Sequence, residues 1–145
     1  MLKVLVTIVS VLVIISACVL IVPVQGQEGG VDRWFWRKTV RIINDLGDDS
    51  TQLYVHCRSK DDDIGEHYLT NGQFIEWSFN VNIWRTTLFW CNFAWNSEQQ
   101  SFDIYTRKDY NTCKAQCWRS IRPDGAYFYH EYGSANPYWL KKLSW

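Results

Sequence analysis

Gln52-Leu53-Tyr54-Val55-His56-Cys57 alternates apolar and polar residues with a period of two. In an extended chain Leu53, Val55 and Cys57 then share one face, and Tyr54 and His56 the other. The run leads into Arg58-Ser59-Lys60-Asp61-Asp62-Asp63-Ile64-Gly65, which holds the densest charge in the chain. The same alternation recurs in Thr39–Ile43, in Phe74–Phe79 (Ile75, Trp77 and Phe79 together) and in Leu88–Trp95 (Phe89, Cys91, Phe93 and Trp95 together). It appears again in Ser101–Tyr105, with Trp118–Arg122 and Ala126–His130 as two further short strands. Turn residues separate these runs: Asn44-Asp45-Leu46-Gly47-Asp48-Asp49, Asn71-Gly72 and Pro123-Asp124-Gly125. No amphipathic helix is expected beyond one turn around residues 109–117. Half-buried strands with regular turns predict an all-β fold of about seven to eight strands, an antiparallel β-sandwich or a small barrel.

The amino end is a different kind of chain. Lys3 precedes an almost unbroken apolar run from Val4 to Val24, closed by Pro23 and by Val24-Gln25-Gly26 ahead of polar Gln27-Glu28. This is the layout of a secretory signal peptide over residues 1–26, leaving 27–145 as one domain. The run is long enough for an anchor, but Pro23 and the small residue at the cut favour removal, with no membrane span remaining. Trp34-Phe35-Trp36 either begins the first strand or forms an arm over the sheet.

Composition narrows the function. The whole chain has 145 residues, 15 basic against 15 acidic, and 17% aromatic residues. Disordered chains are poor in aromatics and carry net charge, so that class is excluded. The balanced charge argues against nucleic acid as a partner, and the length against a two-domain enzyme.

Cleavage would remove Cys18, leaving Cys57, Cys91, Cys113 and Cys117. An even count in an exported chain reads as two disulfides, with three pairings open. Cys57 and Cys91 lie on apolar strand faces, where a bridge between them would cross the core. Cys113 and Cys117 would stand about 13 Å apart in a strand, too far for a bridge, but about 6 Å apart in a helical turn. A zinc site joining these thiols to His56, His67 or His130 is the weaker reading, because zinc motifs show closer pairs.

Catalytic signatures are absent. There is no His-Glu-x-x-His, Gly-x-Ser-x-Gly or phosphate-binding glycine loop, and the even cysteine count leaves no free thiol. Glu66, Glu76, Glu98 and Glu131 qualify as acid–base residues by type alone. Asp61-Asp62-Asp63 lacks the ligand spacing of an EF-hand and reads as a solvated turn. No cofactor or metal is expected. Trp77, Phe79, Phe89, Phe93 and Trp95 fall on inward faces, whereas Tyr54, Trp90, Tyr129, Tyr132, Tyr138, Trp139 and Trp145 are harder to bury together. Surface aromatics of that kind mark recognition surfaces.

The order of these features resembles the plant self-incompatibility S1 family, the S-protein homologues. The resemblance is carried by Val40-Arg41-Ile42-Ile43-Asn44-Asp45-Leu46, then Leu53 to Gly65, Trp77-Ser78-Phe79 and Phe89-Trp90-Cys91-Asn92-Phe93-Ala94-Trp95. It continues through Cys113-x-x-x-Cys117-Trp118, Ile121 and Asp124-Gly125. It implies a small secreted plant protein with an antiparallel β-sandwich and the bridges Cys57–Cys91 and Cys113–Cys117. The role it implies is that of a stigma-secreted ligand that triggers rejection of self pollen through a receptor. The reading is a non-enzymatic, monomeric apoplastic ligand recognised by a cell-surface receptor protein, in pollen–pistil or other cell–cell signalling. Its expected contacts are Lys60, Asp61, Asp62, Asp63 and Glu66 in one loop, and Arg107, Lys108, Asp109, Tyr110 and Asn111 in another. The alternative is an apoplastic defence or carbohydrate-binding protein. No role is read onto the aromatic segment 132–145.

Overall fold

The computed structural model describes residues 37–131 and 136–145. The signal peptide, Trp34-Phe35-Trp36 and Tyr132 lie outside the described residues. The strands are β1 (Arg37–Asn44), β2 (Leu53–Arg58), β3 (Asp63–Leu69), β4 (Phe74–Asn80), β5 (Phe89–Trp95), β6 (Glu98–Tyr105), β7 (Gln116–Arg122), β8 (Gly125–His130) and β9 (Tyr138–Leu143). A 3-10 helix, Arg107–Asn111, joins β6 to β7.

They form two sheets, a five-stranded one in the order β4-β1-β7-β8-β9 and a four-stranded one in the order β3-β2-β5-β6. The sandwich is thus as expected in class, with two differences. The pairing of β1 with β7 is parallel, Val40 opposite Cys117 and Ile42 opposite Arg119. Strand-sized runs show the period of a strand, but not its direction. In addition, β3 and β9 were not anticipated. Both are edge strands with mostly exposed or half-buried side chains, so neither shows the apolar alternation that a covered strand needs.

Alternation explains the core. In β1 Val40 and Ile42 are fully buried while Thr39, Arg41 and Ile43 are only half-covered. Leu53, Val55 and Cys57 of β2 meet Phe89, Cys91, Phe93 and Trp95 of β5 on the inner face of the smaller sheet. Each fully buried Val, Leu or Ile side chain contributes about 1.5–3 kcal/mol. Trp77 and Phe79 pack against this cluster from β4, Phe79 lying 4.6 Å from Phe89 and 4.9 Å from Tyr105.

The disulfides are Cys57–Cys91 and Cys113–Cys117. The first does not cross the core. Cys57 and Cys91 are direct partners on neighbouring antiparallel strands, with Cα atoms 4.0 Å apart, so the bridge lies within one sheet. An apolar face says that a side chain points inward; only register says which strand it meets. The second closes a bend with Cα atoms 5.1 Å apart, immediately after the 3-10 helix.

Residues 136–145 reach the end of the sandwich where β5 finishes and β7 turns into β8. Trp145 packs 5.1 Å from Trp95, and its Nε1 donates to the carbonyls of Arg122 and Pro123 at 3.2 and 3.1 Å.

Candidate functional site: one end of the sandwich

The register places the end of β2, the start of β3, the start of β5 and the end of β6 together, and Phe79 and Asn80 at the end of β4 line the same groove from the other sheet. Three exposed connections leave from this end: the turn 59–62, the loop 81–88 and the 3-10 helix.

Ser59 builds the turn. Its Oγ accepts from the amides of Asp61 (3.2 Å) and Asp62 (2.9 Å), and its own amide donates to the Asp62 carbonyl at 2.8 Å. Lys60, Asp61 and Asp62 therefore point to solvent. Asp63 differs, because it begins β3 and is committed to structure. Its Oδ1 accepts from the Gly65 amide at 2.9 Å and sits 2.7 Å from His56 Nε2, and its Oδ2 accepts from Arg58 Nε at 3.3 Å. The Gly65 amide, followed by His56, holds the Asp63 carboxyl below its ordinary value. Gly65 has φ +86°, the left-handed region that glycine enters without penalty. Glu66 also lies on β3 rather than in a loop, its Oε1 3.8 Å from His56 Nδ1. The expected loop 60–66 is thus a three-residue exposed turn and the start of a strand.

The 3-10 helix divides likewise. Arg107, Lys108 and Asn111 are exposed. Asp109 is not a contact residue: it is buried, its Oδ2 accepting from the Thr106 amide at 2.8 Å and from Thr106 Oγ1 at 2.9 Å as a helix cap. Its Oδ1 accepts from Arg119 Nη2 at 3.1 Å. A carboxylate three residues after a Thr can cap a helix start, a signal visible in the sequence but read there as surface charge. Tyr110 is half-buried, its ring between Arg85, at 4.2 Å, and Lys38 Nζ, at 4.7 Å. Lys38 is buried and ties this region to β1, donating to the carbonyls of Cys113 (2.9 Å), Tyr110 (3.4 Å) and Lys114. Burial lowers its pKa.

The loop 81–88 was missed by sequence reasoning. It bridges the other two: Arg85 covers Tyr110, while Asn82, Thr86, Thr87 and Leu88 line a groove of about 480 Å³ with Ser59–Asp62 on the other side. The available signal was Ile83-Trp84, an apolar pair inside the polar run Asn82–Thr87 with no periodicity to bury it.

Elsewhere, the outer face of the larger sheet carries a row of stacked rings and cations. Arg41 lies over Phe74 (4.1 Å) and Trp118 (5.1 Å); Trp118 stacks on Tyr129 at 5.5 Å, which meets Trp139 at 5.1 Å. Among the described residues no cluster of three or more His, Cys, Asp or Glu is placed to hold a metal ion, and no helix is long and apolar enough to cross a membrane. Of the acidic residues named as catalytic types, Glu76 pairs with Arg41 at 2.7 Å and Glu131 lies 3.9 Å from Lys114.

The pattern described as "Plant self-incompatibility protein S1" matches residues 39–145, which takes in all the described strands but the first two residues of β1. The chain belongs to the plant self-incompatibility S1 family. S-protein homolog 5 of Arabidopsis thaliana is 41% identical over 92 residues, covering 63% of this chain and 70% of that one. S-protein homolog 2 of the same plant is 43% identical over 113 residues, 72% of this chain and 68% of the relative. S-protein homolog 24 is 32% identical over 126 residues, 86% and 80%. The fold is also that of a solved structure of SPH (Self-Incompatibility Protein Homologue) proteins, described as "a widespread family of small, highly stable, secreted proteins from plants". That match has TM-score 0.53 at 20% identity and covers 72% of this chain and 95% of the other. The S1 family is one of secreted plant proteins. Its pattern runs to Trp145, so β9 and the terminal Trp belong to the family domain.

Proposed function

We propose that this S1-family chain is a secreted, monomeric, non-enzymatic ligand recognised by a receptor protein on plant cells, in pollen–pistil or other cell–cell signalling. The convergence of the turn 59–62, the loop 81–88 and the 3-10 helix on one end of a disulfide-braced sandwich carries this reading. Rigid elements that hold exposed loops lower the entropy lost on recognition. Lys60, Asp61 and Asp62 on one side, and Arg107 and Lys108 on the other, supply local charge of both signs, beside the exposed amide of Asn111.

The aromatic row on the larger sheet supports packing better than sugar recognition. Its ring faces are turned to neighbouring rings and guanidinium groups, whereas stacking on a sugar needs a free face.

Labelled protein on intact plant cells tests the reading. Saturable binding, competed by unlabelled protein and lost when residues 60–66 and 107–112 are exchanged for those of a relative, supports it. Unchanged binding and signalling after both exchanges would sink it. Avid hits on a glycan array would favour the carbohydrate alternative.

A further inference from the structure

Ile83 and Trp84 are 74% and 75% exposed, the largest values among the large apolar side chains of the described residues. They are held out by a loop built for the purpose. Asn82 organises it: its Oδ1 accepts from the Thr86 amide (2.8 Å), its Nδ2 donates to Thr86 Oγ1 (2.7 Å), its amide donates to Thr87 Oγ1 (3.1 Å), and its carbonyl accepts from the Arg85 amide (2.9 Å). Arg85 has φ +54°, a left-handed conformation that a non-glycine residue adopts at a cost. Its guanidinium is stacked on Tyr110 at 4.2 Å, which fixes the loop to the 3-10 helix. A flexible loop would relax this strain and fold the indole onto its own surface.

The groove beside the tip has carboxylates on its far wall. Asp61 and Asp62 are exposed, and neither makes an ion pair with a described residue. A tip that enters lipid is flanked by cations that meet anionic headgroups. Among the charged side chains that line the groove, Asp61 and Asp62 outnumber Lys60, and the neighbouring Arg85 guanidinium is held on the Tyr110 ring, so the surface complementary to the groove is a basic one.

We propose that the Ile83–Trp84 tip is the anchor by which this protein docks, and that its partner is a protein with an apolar pocket for Trp84 and a basic rim facing Asp61 and Asp62. This rests on the ligand reading above and names the class of surface that receives it. Buried Trp residues at the centre of an interface carry a disproportionate share of the affinity.

The test measures binding of the full secreted chain to intact plant cells that bind the wild type saturably. Trp84→Ala weakens binding at least about 30-fold, Trp84→Phe weakens it less, and Asp61→Lys with Asp62→Lys slows association. All three keep the wild-type unfolding midpoint, because these side chains are exposed. Protease treatment of the cells removes the binding, and phosphatidylserine vesicles take up none. Wild-type affinity in Trp84→Ala overturns the anchor while leaving the ligand reading intact. Binding that survives protease, or vesicle binding lost with Trp84→Ala, overturns the protein partner in favour of a lipid surface. Absence of any saturable wild-type site on plant cells removes the ligand reading, and the anchor with it.

Discussion

Arg119 Nη2 donates to Asp109 Oδ1 at 3.1 Å, between two side chains only 1% and 10% exposed. The guanidinium lies inside the sandwich, its Nε on the Ile104 carbonyl (2.9 Å), its Nη1 on the Trp118 carbonyl (3.0 Å) and its plane 4.0 Å from the Phe128 ring. Burial pulls its pKa down to about 10, so it stays charged at neutral pH. Asp109 is its only carboxylate partner among the described residues and also caps the 3-10 helix.

Asp109→Ala therefore strands a buried charge and uncaps a helix at once. Removing one member of such a pair costs about 3–5 kcal/mol. Lys108→Ala, one residue away and exposed, changes stability by less than about 0.5 kcal/mol. Urea unfolding midpoints at constant slope compare the two, and equal midpoints would show that Asp109 is a surface residue after all.

The disulfides should differ in worth. Cys57 and Cys91 are 34 residues apart in sequence, Cys113 and Cys117 only 4. In the chain-entropy account the longer loop contributes about 4 kcal/mol and the shorter about 2 kcal/mol. Paired Cys→Ala replacements, each made separately, are expected to differ by about 2 kcal/mol in unfolding free energy. A larger loss from the Cys113–Cys117 pair would mean that local bracing of the candidate site outweighs loop closure.

Acid should weaken the fold through carboxylates already spent on structure. Asp63 is held below its ordinary value by the Gly65 amide and then His56, Asp48 by the Ser50 amide first, and Asp124 by the Lys141 side chain first. In the unfolded chain an Asp takes up its proton near about pH 3.9. The native carboxylates take theirs up lower still. Their contribution is therefore complete above that pH and is lost as pH falls through the native values. Asp63→Asn should lower stability at neutral pH and flatten the acid limb of the stability curve. An unchanged acid limb in that variant would remove Asp63 from the account.

The legible parts of the fold are those where one side chain's face decides the matter. Val40, Ile42, Leu53, Val55, Phe89 and Phe93 are buried as alternation requires, since one buried face forces the pattern. Partnership is not written in periodicity, so neither the parallel β1–β7 pair nor the in-sheet position of Cys57–Cys91 could be read. At the candidate site, Lys60, Asp61 and Asp62 are exposed as charge suggests. Asp63 and Asp109 carry the same charge and look alike in sequence, yet backbone amides and a distant arginine claim them. Trp84 shows the converse, a large aromatic outside every strand period that a strained loop keeps exposed.

The least legible strand, β9, offers the sharpest test. Gly125 opens β8 with φ +152°, and a Cβ there would stand 2.0 Å from the Leu143 carbonyl oxygen and 2.7 Å from Lys141 Cε. The lysine tail can swing aside, but the carbonyl belongs to the backbone of β9. Gly125→Ala must therefore push the end of β9 off β8. Gly47 is the natural control: its φ is +77°, but nothing lies within 4 Å of a Cβ built there. Gly47→Ala pays only the left-handed penalty, about 1–2 kcal/mol. Gly125→Ala should cost more and, unlike the control, should speed amide exchange across 138–143 while leaving β2 and β5 protected. It should also alter Trp fluorescence, because Trp145 leaves Trp95, which it now meets at 5.1 Å. Equal exchange in the two variants would mean that β9 is not held by its contact with Gly125.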